Sequence, residues 1–455
     1  MIAGRAFPYV SGCAIATSQP CGDGRRSIFN SVKITAPIIV LIACWRQYGR
    51  NFNSLLPSGN NKNHLTRASN LSSTAIGRAG RYISQPAGYR AFIPRSLPPD
   101  PPLQLDETGH SLLSEAGIAL GRLDGSIQIL PDADLFMYMF IRKEAVLSSQ
   151  IEGTQSSLND LLAAEAKLFG LHERDDVWEV INHVQALNHG LERLETLPLS
   201  MRLIKEIHGV LIKDVRGSQY RPGEFRTSQN WIGAAGSTIN EAVFVPPPPH
   251  EMQTALGELE KFWHSMSDLP ILVKVALVHA QFETIHPFLD GNGRIGRLLV
   301  TFLLIISRTL RKPALFLSEY FIRRRDEYYL RLQAVRDEGA WEEWVMFFLR
   351  GVLQVSDQAA LAAAEVVALR EEHRQKVTEN FGRSAANGLR ILELLYKFPV
   401  VNVNLVSRNT KIGFGPANLL IARFVEEGLL AEITGNKRNR LFQYKPYTDL
   451  FAGGP

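Results

Sequence analysis

A mainly α fold is predicted for the 455-residue sequence, with one small β-hairpin and a C-terminal unit of three helices and two strands. Three observations carry that expectation. Apolar residues recur at helical spacing through most of residues 105–427. Gly, Asn and Pro break the pattern at 220–249, where two short apolar runs could pair. After residue 388, three short helical stretches precede two strand-like runs around a basic turn. The length allows two or three domains. Hydrophobic content of 45% and charged content of 21% are ordinary for a globular chain.

Residues 1–86 differ from the rest. They are rich in Ser, Asn, Gly and Arg and lack sustained periodicity. Residues 1–100 carry 12 Lys/Arg and 2 Asp/Glu, a net of +10, against −5 for the remainder, so the basic balance belongs to the N-terminal segment. Cys13, Cys21 and Cys44 all lie there, and no disulfide framework or cysteine metal site is expected in the folded part. The apolar run 36–45 is too short to span a membrane and too far from the terminus for a secretory signal. Residues 1–86 read as a disordered or non-native basic extension, with a targeting segment as the competing reading.

From residue 105 helices dominate. Residues 107–123 are amphipathic, and 135–151 follow as a second helix ending in Ser148-Ser149-Gln150-Ile151-Glu152-Gly153, with Gly153 as C-cap. A carboxylate at a helix C-terminus opposes the dipole, so Glu152 either has a cationic partner elsewhere or is an ordinary exposed glutamate. Ser156 and Ser157 read as caps of the next helix. Residues 177–194 and 201–215 are amphipathic helices carrying His183, His189 and His208. These read as structural, since no His-Glu-x-x-His or Cys/His spacing indicates zinc. Residues 229–232 and 242–245 can pair as a short hairpin across residues 233–240, and a free hairpin edge can accept a further strand.

The stretch His286-Pro287-Phe288-Leu289-Asp290-Gly291-Asn292-Gly293-Arg294-Ile295-Gly296-Arg297 lies between a helical run from Ile271 and a buried helix, 298–306. A helix start offers free N–H groups and the positive end of the dipole. Glycines let an anion approach the backbone, and Arg294 and Arg297 add guanidinium forks suited to phosphate. Asp290 could hold magnesium, which takes one or two carboxylates beside phosphate oxygens. His286, ahead of a proline, is expected in extended backbone outside the helix, where a near-neutral pKa suits a general base. Gly291, Gly293 and Gly296 also match the dinucleotide pattern G-x-G-x-x-G, but no strand leads into them. No Gly-Lys-Ser/Thr follows, which rules out a P-loop.

Residues 318–336 and 341–353 read as helices, and the Ala/Glu/Arg-rich 355–377 as a helical connector. Helices at 389–396, 403–410 and 415–427 and strands at 429–434 and 441–444 make a winged-helix unit. Arg423, Lys437, Arg438 and Arg440 could meet DNA phosphates. The third helix is mostly apolar, so a protein-contact or homodimer role stands beside DNA and ahead of it.

The residues 286–297 resemble the signature of the Fic family, His-x-Phe-x-Asp/Glu-Gly-Asn-Gly-Arg-x-x-Arg, at every fixed position. The resemblance implies a Fic-type helical core that transfers AMP from ATP, with Mg2+, to a Ser, Thr or Tyr hydroxyl of a protein. His286 would take the hydroxyl proton and Asp290 would bind Mg2+. Gly291, Asn292, Gly293 and Arg294 would cradle phosphates, and Arg297 would pair with the terminal one. Residues 148–153 resemble the inhibitory Ser/Thr-x-x-x-Glu-Gly/Asn motif, so Ser148, Glu152 and Gly153 would hold Arg297 away from ATP. Ile239, Asn240, Glu241, Ala242, Val243, Phe244 and Val245 would form the target-binding flap. Tyr328 and Tyr329 fall where the family places aromatics near adenine, with Tyr329 taken as the base contact. Arg336 stands where some relatives have an asparagine that contacts nucleotide. The similarity begins with Tyr89 and the residues to Pro99.

The expected parts are the extension 1–86, an N-terminal helical region with the inhibitory helix 87–200, the catalytic core 201–354, the connector 355–387 and the winged helix 388–447. The expected protein is cytoplasmic, without membrane contact. Two alternatives stay open: a DNA-binding regulator with a nucleotide-sensing core, or a de-AMPylase or other nucleotidyl or phosphoryl transferase.

Overall fold

The computed structural model describes residues 77–128, 130, 132–167, 175–234 and 236–451. The basic segment 1–76, with its cysteines and apolar run, lies outside the described residues. The chain enters as a hairpin, β1 (Gly80–Ser84) paired antiparallel with β2 (Arg90–Pro94). The expected extension to residue 86 is therefore corrected: 77–86 are structured. Arg78 is buried and forks onto Glu342 at 2.9 Å from each nitrogen, and Phe92 fills the core.

Helices α1 (Glu107–Gln128), α2 (Ala133–Ile151), α3 (Leu158–Lys167), α4 (Asp175–Leu194) and α5 (Met201–Leu211) follow. At α3 the Ser157 hydroxyl accepts from Asp160 N–H, as its cap position predicts. Then come α6 (Pro249–His264), which the sequence pattern did not separate from the proline run before it, α7 (Ile271–Ile285) and α8 (Asn292–Ile306). Nearly every residue of α7 and α8 is buried. They form the centre of the core, which fits their near-continuous apolar sequence.

Residues 318–336, expected as one helix, are α9 (Ser318–Arg323) and α10 (Arg325–Glu338), broken at Arg324. Residues 341–353 and 355–377 are one helix, α11 (Trp341–Asn380), so the boundary drawn at 354/355 falls inside it. No proline interrupts this stretch, its Ala, Leu, Glu and Arg residues favour helix, and Gly351 is where the Tyr320 ring packs. By length and hydropathy α11 could cross a membrane. A third of that span is buried, and Trp344, Phe347, Phe348 and Val352 of the helix lie in the core.

The C-terminal unit has α12 (Ala385–Lys397), α13 (Val403–Thr410), α14 (Phe414–Glu426) and α15 (Lys445–Asp449). Beside them lies an antiparallel sheet of β3 (Val400–Val401), β4 (Ala431–Glu432) and β5 (Phe442–Gln443), in the order β3-β5-β4. Arg423 donates to Asn380 O and covers the Phe381 ring. The exposed side of α14 carries Phe414 and Leu419.

Candidate functional site

The loop between α7 and α8 is fastened from several directions. His208 of α5 accepts the Gly223 N–H at Nδ1 (2.9 Å), so its proton sits on Nε2 and is donated to Asp290 O (3.0 Å). The same ring stacks on Phe288 with centroids 3.7 Å apart. Asn292 closes a box: its side-chain oxygen accepts from Phe288 N and its amide donates to Phe288 O, both at 2.8 Å. Arg226 donates from Nε to His286 O (2.9 Å) and from its backbone to Pro287 O, and the Asn230 amide adds a bond to Phe288 O. Asn292 therefore offers an anion its backbone only, because its side chain is spent on the loop.

His286 is not extended. It takes the left-handed conformation (φ 50°, ψ 61°) as the C-cap of α7, with its N–H on Phe282 O. A following proline disfavours the right-handed helical region, and a helix-ending left-handed turn is another way to satisfy that limit. The fastened carbonyl, held by Arg226 and Asn230, keeps the residue there. The ring is half-buried with Nδ1 3.4 Å from Glu283 O. Since a carbonyl only accepts, the proton belongs on Nδ1 and the lone pair on Nε2. Burial and the Arg336 guanidinium lower the imidazole to about 4, so it is neutral at pH 7.

Beyond the loop, Gly291 (φ 78°) is the N-cap of α8 and places Asn292, Gly293 and Arg294 in its first turn. The helix thus begins six residues before the 298–306 run, and its free N–H groups lie among the signature glycines. That end is already covered. Glu152, just past α2, puts its carboxylate where a Cβ on Gly293 would lie. Its Oε1 accepts from Arg297 Nη2 at 2.8 Å. Burial works against the ionised carboxyl, but the Arg297 guanidinium outweighs it and holds Glu152 below its ordinary range. Arg297 also donates from Nε to Ser148 Oγ and from Nη2 to Ser148 O, each at 2.8 Å. Gly153 caps α2 with φ 96°, and Arg325 of α10 donates to Ile151 O. The sequence motif at 148–153 and the last signature arginine are one contact in the fold.

Arg294 is fully buried between two carboxylates, 3.6 Å from Glu179 Oε2 and 3.7 Å from Asp290 Oδ1. Its Nε and Nη1 have no hydrogen-bond partner. A buried guanidinium with open donors suits an incoming anion. Glu179 also accepts from Thr154 Oγ1 (2.8 Å), one residue after the inhibitory turn.

Among the described residues no group of three His, Cys, Asp or Glu side chains is placed to hold a metal. Asp290 by itself fits magnesium shared with phosphates. It is partly exposed, Oδ1 takes the Gly291 N–H, and Gly217 lies against Oδ2 where a Cβ would collide. The two tyrosines separate. Tyr328 is buried and its hydroxyl donates to His279 Nε2, whose Nδ1 donates to Gly296 O. Tyr329 is 41% exposed, with its ring between Tyr328 and the Arg325 guanidinium.

The flap is slighter than a hairpin. It is a single bridge, Ile232 to Phe244, and residues Ile239–Glu241 form a 3-10 turn. The Thr238–Glu241 capping box favours that turn over a strand. Val243 and Trp231 are exposed on it, while Phe244 and Val245 are buried and Phe92 N donates to Val245 O. His208, Arg226, Asn230 and Glu179 were not picked out as site residues from the sequence. Their roles depend on partners far along the chain. The one available signal was a carboxylate and a histidine (Glu179, His183) a helical turn apart among apolar neighbours.

The profile of the Fic/DOC family N-terminal region matches residues 110–192 and that of the Fic/DOC family matches residues 198–304. A probable protein adenylyltransferase of Aquifex aeolicus is 31% identical over 99 residues, 22% of this chain and 28% of that protein. The protein adenylyltransferase Fic of Drosophila mojavensis is 26% identical over 271 residues, 58% of this chain and 49% of that protein. The chain thus spans half or less of these relatives. A solved Fic family protein from Desulfovibrio desulfuricans covers 75% of this chain and 97% of its own, at 18% identity and a TM-score of 0.49.

Proposed function

We propose that this chain, which belongs to the Fic family, is a protein adenylyltransferase held off by Glu152. It would move AMP from ATP to a hydroxyl side chain of a protein. One observation carries the reading. The carboxylate of Glu152 sits on the Gly293 face of the α8 N-terminus and holds Arg297, in the position a phosphate would use. A helix start with glycine at positions 291 and 293, one arginine engaged and another holding open donors, is a phosphate site blocked by an internal anion.

In the reaction so framed, Glu152 leaves Arg297 and the terminal phosphates take its place. The N–H groups of α8 and Arg294 bind the phosphate chain. Magnesium, held by Asp290 and phosphate oxygens, would supply charge neutralisation at the phosphates. His286 Nε2 accepts the proton of the target hydroxyl, whose oxygen forms a bond to the α-phosphorus as the bond to the β-phosphate oxygen breaks. Pyrophosphate leaves. The exposed flap edge at Val243 would align the target segment through main-chain bonds. Adenylyltransferase names among the relatives support AMP as the group moved.

The test is label transfer from α-labelled ATP with magnesium, and mass spectrometry of the product. The expected result is AMP-sized addition to a hydroxyl residue that disappears with His286→Ala. Undiminished transfer by that variant would refute the role of His286.

A further inference from the structure

Arg336 interrupts the chemistry expected of its position. It lies on α10, which also carries Tyr329, yet it is buried and its donors are engaged within the fold. Its three nitrogens each reach a different oxygen. Nη2 donates to Glu283 O, Nε to Thr284 Oγ1 and Nη1 to Gln333 Oε1, all at 3.2 Å. Its flat face lies 3.8 Å from the centre of the Phe244 ring. Glu283 O is also the oxygen facing His286 Nδ1. Phe244 is the flap residue whose backbone makes the bridge to Ile232. One side chain therefore touches the last turn under the base and the underside of the flap.

We propose that Arg336 is a positioning residue that keeps the general base and the target-aligning flap in one register, and so sets where a target hydroxyl meets His286 Nε2. The inference rests on the transferase reading above. It follows from two features of guanidinium chemistry: a planar fork can satisfy several oxygens at once, and its face can still lie on an aromatic ring. A lysine would keep the charge and lose both features. Misplacing a reacting group by about 1 Å costs roughly a hundredfold in rate. The charged groups facing His286 are Arg336 from α10, Arg226 from the segment before the flap and Glu152 beyond α2, while Glu283 of α7 reaches it through its backbone carbonyl. Removing Arg336 takes away the larger of the two cationic influences, so the imidazole pKa rises.

The experiment uses the full chain with Glu152→Gly, to which Arg336→Gln or Arg336→Lys is added. Transfer is followed against pH, ATP affinity by titration, the His286 imidazole by NMR, and flap amides by hydrogen exchange. For Arg336→Gln the expected result is a tenfold or greater loss in kcat with ATP affinity within twofold. The His286 titration moves up, and exchange at Val243 and Phe244 becomes faster. Arg336→Lys should keep the titration near its parent value while sharing the kcat loss and the faster exchange. Phe244→Leu removes the same link from the other side and should add little to Arg336→Gln, since the two act through one contact.

Parent-like kcat and flap exchange in Arg336→Gln would overturn the proposal. So would additive losses in the double variant, or a kcat loss that follows thermal stability alone with flap exchange unchanged. NMR and exchange need no turnover. If Glu152→Gly shows no transfer, the transferase reading fails, and flap exchange still decides whether Arg336 holds the flap.

Discussion

Replacing Glu152 with glycine should raise AMP transfer and lower stability in the same molecule. The two effects have separate sources. The carboxylate makes one charge-assisted hydrogen bond, 2.8 Å from Arg297 Nη2, and is itself 31% exposed. Such a bond is worth about 1.5–3 kcal/mol net. Nucleotide must displace it, so its removal lowers the cost of seating the terminal phosphate by that amount, a gain of roughly ten- to a hundredfold in transfer at subsaturating ATP. Arg297 stays in place, because Ser148 Oγ and Ser148 O still accept from it. The guanidinium, 3% exposed, is then left without its counter-charge. Breaking a fully buried pair costs about 3–5 kcal/mol, and the partial exposure of Glu152 places this case below that range. Initial rates with labelled ATP and magnesium, beside thermal midpoints with and without ATP, measure both. The variant should have the lower midpoint alone and the larger upward shift with ATP. Equal labelling by parent and variant would refute the inhibitory role of Glu152, whatever the stability.

Two further outcomes follow from the same geometry. Asp290→Asn should reduce transfer at least about tenfold and also lower the thermal midpoint, because the carboxylate accepts from Gly291 N–H and is one of the two counter-charges of buried Arg294, at 3.7 Å; calorimetry beside the transfer assay checks this, and EDTA should reduce transfer by the parent without lowering its midpoint. Glu144, buried on α2 and accepting from Ser318 Oγ, is pushed up to about 7 by burial. The folded chain therefore retains a proton that the unfolded chain releases near 4.5, and stability falls as pH rises between those values. Glu144→Gln should gain on the parent across that window, reaching roughly 3 kcal/mol above pH 7. Denaturant melts at pH 5 and pH 8 with the same advantage at both would contradict it.

What could be read in the sequence was the chemistry carried by consecutive residues. His286, Asp290, Gly293, Arg294 and Arg297 fall within twelve positions, and the turn from α7 into the first turns of α8 carries all five. The turn at Gly153 was legible for the same reason, since a glycine after a helical run is a local signal. Glu179, Arg226 and Asn230 were not. Arg226 matters because it reaches His286 O 60 residues away, and nothing in its neighbours encodes that. The β1–β2 hairpin was hidden by the basic composition it shares with residues 1–76, although Pro86 and Gly88 mark its turn. The flap was read as two strands because its apolar runs have the right spacing. Prolines 246–249 and the Thr238–Glu241 box limit the ladder to one bridge. Backbone geometry at His286 was misjudged because the proline rule excludes one region without choosing among those that remain.

The uninterrupted course of α11 has a practical consequence. Forty residues of helix extend about 60 Å, and Val355, Ala359, Ala363 and Val366 are buried along the half beyond residue 354. A shortened protein ending at that point would sever the helix between turns and bare those side chains to water. The C-terminal unit is joined to the half that carries residues 286–297 by a rigid rod, and the two are better expressed whole than separated at that seam.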